Sequence, residues 1–265
     1  MRNINSPDNQ VIKDLVKMRK GAFAKKNGLF LIDGRREIEM AFSEKIEIEE
    51  VFLCPELAKE NDITGLSNIN IKKTILTRRV FEKVAYKENP DGFLALAKRR
   101  YVALDDIKLK SNPLIIVLEE VEKPGNLGAI IRTAVAAGVD LIILNNQQTD
   151  IFSANVIRAS EGLIFSLPLV SRTINETFEW LKNNKIKTLA AATGAKKDYC
   201  VVDMSGAVAL VFGSEAQGLS EEWLSLADEK IKIPMKSGVD SLNISVSAGI
   251  LAFEVIRQRR IKNGV

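Results

Sequence analysis

Three stretches of this 265-residue chain set polar side chains at spacings that could support a reaction. Asn126 and Arg132 stand six residues apart in Pro124-Gly125-Asn126-Leu127-Gly128-Ala129-Ile130-Ile131-Arg132. Glu215 occupies Gly213-Ser214-Glu215-Ala216-Gln217-Gly218, and Ser241 and Asn243 lie between Pro234 and the last helical pattern. The chain has no histidine, which removes the commonest general base, every Ser-His-Asp or Cys-His arrangement and most transition-metal sites. A proton in such a protein is handled by Arg, Glu, Asp, Lys, Tyr or water. Guanidinium stays protonated, so Arg132 can grip a phosphate or stabilise a developing oxyanion. Asn126 donates and accepts at once. Taken singly, each also has an ordinary explanation: a paired helix arginine, a turn-forming asparagine, a surface acid.

Composition narrows the function classes. The chain is 46% hydrophobic, enough for two modest cores. It has no apolar run near 18 residues and no charged-then-apolar leader, so a soluble cytoplasmic protein is expected. The two cysteines, Cys54 and Cys200, are far apart, and neither a disulfide framework nor a zinc site has enough ligands, so no metal is expected. The formal net charge of +4 permits a nucleic-acid partner without requiring one. Its distribution says more: nine Lys or Arg against three Asp between Arg2 and Arg36.

The elements that hold these residues alternate. Val11, Leu15, Met18 and Phe23 keep roughly helical spacing in the basic front segment. A strand then turns at Asp33-Gly34 into a helix facing the core with Ile38 and Ala41, and a strand follows over Ile48–Leu53. The alternation continues through 70–76, 77–85 and 93–97, giving a small α/β domain over 1–100. Arg35-Arg36 and Lys98-Arg99-Arg100 are candidate phosphate contacts. A polar linker is expected over 101–112 and a second domain over 113–265. The second opens with the buried-type strand 114–118, followed by a helix through Ala137 that stops at Gly138 and a strand over 141–144. A short helix near 153–160, a helix over 174–183, strands at 187–192, 208–212 and 230–233, and a helix over 241–262 with Ser241 as N-cap complete it. Neither G-x-G-x-x-G nor a Walker lysine is present, which disfavours a nucleotide-dependent dehydrogenase or kinase.

Together, in this order and spacing, the three stretches resemble the three motifs of the SpoU-type RNA 2′-O-methyltransferases, a branch of the SPOUT methyltransferases. The resemblance implies a parallel-sheet α/β domain with a trefoil knot, preceded by a small α/β RNA-binding domain similar to certain ribosomal proteins. It implies S-adenosylmethionine as cofactor and a ribose hydroxyl as substrate, with Asn126, Arg132, Glu215, Ser241 and Asn243 as the catalytic set. Thr193, Gly213, Ile233, Met235 and Leu242 would hold the cofactor, largely through backbone groups. Ala216 and Ser237 depart from the family's usual glycines. rRNA is favoured over tRNA because a separate N-terminal domain is present; a non-catalytic RNA-binding or ribosome-assembly protein of the same fold is the competing class. A homodimer through the C-terminal helix is expected, because Leu242, Ile244, Val246, Ile250, Leu251, Phe253, Val255 and Ile256 make it apolar on more than one side.

Overall fold

The computed structural model describes residues 2–59 and 71–264. The chain divides into two compact units, Met1–Arg100 with Asp150–Ser166, and Tyr101–Thr149 with Leu167–Val265. Residues 101–112, expected as a linker, cluster with the second unit, whose core buries Leu104 with Ile115 and Val117. The segment 150–166, expected in the C-terminal domain, clusters with the first.

The first unit runs β1 (Arg2–Ile4), α1 (Gln10–Met18), α2 (Gly21–Lys26), β2 (Leu29–Asp33), α3 (Arg35–Ser43), β3 (Ile48–Leu53), β4 (Lys72–Leu76), α4 (Arg78–Val84) and β5 (Phe93–Lys98). The fourth strand was expected from Asn70, which lies outside the described residues. Its sheet has the order β1-β4-β3-β5-β2. Pairings are parallel through β1, β4 and β3, and antiparallel where β5 meets β3 and β2. Ile38 and Ala41 of α3 are buried, as their spacing required. The front segment differs from expectation. It is two helices broken after Met18, and its buried row is Ile12, Leu15 and Met18, with Val11 half-buried.

Arg99 is a correction of a different kind. Expected as a phosphate contact, its side chain is 3% exposed and its guanidinium donates to both oxygens of Asp150 at 2.8 and 2.7 Å. It also lies over the Phe152 ring, whose segment packs on Phe30. A planar fork buried against a carboxylate is a structural clamp and has no donors to offer RNA.

The second unit contains β6 (Leu114–Glu119), α5 (Pro124–Ala136), β7 (Leu141–Asn145), β8 (Leu169–Arg172), α6 (Ile174–Asn183), β9 (Lys187–Ala191), β10 (Lys197–Asp198), β11 (Val208–Phe212), α7 (Glu221–Leu226), β12 (Glu229–Lys232) and α8 (Ile244–Lys262). Its seven strands are all parallel, in the order β10-β12-β9-β11-β6-β7-β8. β6 and β11 are buried along their whole length, which is why they read as continuous apolar runs. The helix starts are chemically explicit. α5 has Pro124 at its first position, where the missing N–H is no loss. Thr173 and Glu176 form a capping box on α6. Gly138 takes φ +67° to end α5.

Asn145 ties the sheet to two helices. It is fully buried and donates to Thr177 Oγ1 at 2.7 Å and Arg172 O at 2.9 Å, while its Oδ1 accepts from Trp223 Nε1 at 3.1 Å. Among the described residues no helix is long and apolar enough to cross a membrane.

Arg99→Ala should destabilise the first unit by about 3 kcal/mol, because it leaves the Asp150 carboxylate without its partner. Urea unfolding checks this, and RNA affinity measured on the folded variant should keep its salt dependence.

Candidate active site

Parallel strands present their carboxyl ends at one edge of the sheet, and ligands of open α/β sheets bind there. β12, β9 and β11 are adjacent in this sheet. The loops that leave them, 233–243, 192–196 and 213–220, surround a cavity of about 840 Å³. That volume suits a small organic cofactor. Thr193, Gly213, Ile233, Met235 and Leu242 all line it. So do Glu215, Ser241 and Asn243.

Local chemistry explains why these loops hold their shape. Pro234 follows β12 and cannot donate to a ladder, so the strand ends there. In the loop after β11, Ser214 and Gly218 exchange two backbone hydrogen bonds of 3.0 Å, closing a small hairpin with Glu215 on its turn. A Cβ on Gly213 would stand 2.0 Å from the carbonyl carbon of Gly218. The glycine expected to admit a ligand is thus required first by its own hairpin.

The helix N-cap is Asn243, not Ser241, and α8 begins at Ile244. Asn243 Oδ1 accepts from Ser245 N at 2.9 Å and Ser245 Oγ at 2.6 Å. Because the cap occupies the oxygen, the amide nitrogen must point the other way. It donates to Asn126 Oδ1 at 3.2 Å. This one side chain therefore starts the last helix and joins it to the first turn of α5. Asn126 Nδ2 is buried and has no acceptor among the described residues. A buried amide donor of this kind is a place for a ligand acceptor.

Arg132 is not brought to the cavity. It lies further along α5, exposed, and is not among the cavity-lining residues. Glu215, expected in one catalytic set with that arginine, pairs with Lys123 Nζ. The carboxylate accepts a hydrogen bond from the ammonium and holds it above the usual lysine range. Lys123 was missed in the sequence because its partner is 92 residues away and no local spacing signals such a pair. Among the described residues no group of three or more His, Cys, Asp or Glu is placed to hold a metal ion.

Asn243→Ala removes both the cap and the bridge to Asn126. Loss of an N-cap amide destabilises by about 1 kcal/mol, so the variant should melt a few degrees lower and bind the cavity's ligand more weakly than the effect of Ser241→Ala. Differential scanning calorimetry and ligand titration of the two variants check this.

Residues 113–253 match the model of the SpoU rRNA Methylase family, and residues 9–95 match that of an MRM3-like substrate binding domain. Over 96% of its length, with 99% of the relative covered, the chain is 28% identical to the 23S rRNA (guanosine(2553)-2′-O)-methyltransferase RlmP of Bacillus subtilis. A crystal structure of an RNA 2′-O ribose methyltransferase is 33% identical and superposes with a TM-score of 0.87, covering 97% of this chain and 99% of that one. An AdoMet-bound rRNA methyltransferase from Sinorhizobium meliloti is 27% identical with a TM-score of 0.87, at 97% coverage of both chains. The SpoU family model spans more than half of the chain and all three motif stretches: this chain belongs to the SpoU rRNA methylases.

Proposed function

We propose that this protein transfers the methyl group of S-adenosylmethionine to a ribose 2′-hydroxyl of rRNA, in the cytoplasm. The observation that carries the reading is that all five expected cofactor contacts line one cavity with Glu215, Ser241 and Asn243. The residues present fit the cofactor. The strand-end loops offer backbone donors and acceptors, and Ile233 and Leu242 offer apolar faces. When bound, the cofactor supplies a methyl group activated by its sulfonium charge. Relatives named as rRNA 2′-O-methyltransferases and an AdoMet-bound neighbour support the substrate and cofactor classes.

A ribose hydroxyl is a weak acid, so the chain's task is to orient it and favour its oxyanion. Arg132 takes the electrostatic part, gripping the flanking phosphate and stabilising the developing negative charge. Asn126 and Asn243 hold the first turn of α5 to the start of α8, so the helix carrying Arg132 and the loops around the cofactor keep one geometry. Glu215 orients the polar groups at the cavity. In the first unit the exposed Lys13, Lys20, Lys25 and Lys26 of the basic segment supply phosphate contacts, whose contribution weakens with salt.

The working form in this reading is a homodimer built on α8. Val246 and Phe253 are 49% and 50% exposed, two turns apart on a helix whose other side packs into its own core, and Leu242 just before its N-cap is 36% exposed. α8 packs on α5, the helix that carries Arg132, and no arginine among the described residues lines the cavity; in this reading residues of both protomers line the site. The trefoil knot belongs to the same reading; the segment 233–247 lies against the loops 191–195 and 212–219 around one cavity, as a tucked C-terminal segment would.

Two outcomes test the reading. Labelled S-adenosylmethionine should pass its methyl group to 23S rRNA at one ribose, read as resistance to alkaline cleavage, with tRNA unlabelled; Arg132→Ala should lower the rate by about 10²–10³ at unchanged cofactor affinity, and Arg132→Lys should recover little of it. Light scattering should give a dimer at micromolar concentration, and Ile250→Glu should yield monomers that lose methyl transfer. A fully active monomer would remove the dimer from the reading.

A further inference from the structure

The loop after β11 and the first residue before α5 come from distant parts of the chain, yet one ion pair joins them. Lys123 precedes Pro124 and its carbonyl accepts from the backbone N–H groups of Asn126 and Leu127, so it is fixed to the turn that presents Asn126. Glu215 stands on the hairpin whose residues 213–218 line the cavity. Lys123 is the partner of the Glu215 carboxylate among the described residues. Resting on the reading above, we propose that Lys123 is a positioning residue for methyl transfer, acting through Glu215: it latches the cofactor-side hairpin to the helix that carries Asn126 and Arg132.

Two physical effects follow from the pairing. A carboxylate near a developing oxyanion opposes the reaction by like-charge repulsion, and an adjacent ammonium offsets that charge. The hairpin has two backbone hydrogen bonds of its own. A tether to α5 removes part of its freedom before the cofactor arrives, so less ordering remains for binding to supply. Lys123 is 69% exposed and Glu215 30% exposed. Pairs in such a setting contribute modestly, which sets the expected effect at about two- to fivefold.

The alternative role for a cation at this place is a direct phosphate contact, and a double-mutant cycle separates the two. The cycle comprises Lys123→Met, Glu215→Gln and the double variant, with Lys123→Arg as the charge-conserving control. S-adenosylmethionine affinity is measured by calorimetry without RNA, and kcat and KM on rRNA are measured across a range of salt. Lys123→Met should weaken cofactor binding and lower kcat, each about two- to fivefold, with the KM for RNA and its salt dependence unchanged. Lys123→Arg should restore both, and in the Glu215→Gln background Lys123→Met should change neither. Independent, multiplying effects in cofactor affinity would overturn the proposal, as would a loss confined to the KM for RNA with a shallower salt slope. A wild type that binds the cofactor but methylates no RNA would sink the reading above, while the calorimetric cycle would still decide Lys123. A wild type that binds no cofactor overturns both.

Discussion

The parallel register of β12, β9 and β11 is the constraint on which the site depends. Strands that run the same way release their chains at the same edge, so three separate loops emerge within reach of one another. The strands' backbone groups are spent on the ladders between them, which leaves the loops at the carboxyl edge as the place where N–H and C=O groups remain unspent. A cofactor bound by main chain needs just such groups. The sheet thus prepares the cavity, and the side chains refine it.

Refinement runs through residues that act at two levels. Asn243 saturates its oxygen on the start of α8 and thereby directs its nitrogen to Asn126. Helix initiation and site geometry are one hydrogen-bond choice. Asn145 does similar work at the buried end of β7, where one amide meets Thr177 and Trp223. Because unmade hydrogen bonds of buried groups are expensive, such networks hold one arrangement. The N-terminal unit shows the same economy with charge. Arg99 and Asp150 neutralise each other where neither could stand alone.

Much of the fold was legible along the chain. Continuous apolar runs identified β6, β7 and β11, and helix α6 was read at its observed bounds, Ile174–Asn183. Short or edge elements escaped. β1 has three residues and β10 two, too few for any periodicity. β8 has two apolar residues followed by Ser171 and Arg172, a pattern shared with loops. The helix α1 shows the limit of period reading: Val11 and Ile12 are neighbours of equal apolarity, and packing chose Ile12.

For the site, residue type and order along the chain determined the family resemblance, the absence of histidine chemistry and the set of polar and loop residues that could serve methyl transfer. These are properties of composition and spacing, which the linear chain carries in full. Tertiary structure alone decided which of those residues meet. It gathered eight of the ten expected site residues round the cavity, reached Asn126 through Asn243, left Arg132 outside, and gave Glu215 to Lys123. It also buried Arg99, which in sequence looked no different from its exposed neighbour Arg100. The physical reason is the same in each case: a side chain's partners are set by which strand ends and helix turns the sheet brings together, over separations of 51 to 117 residues that local spacing does not encode.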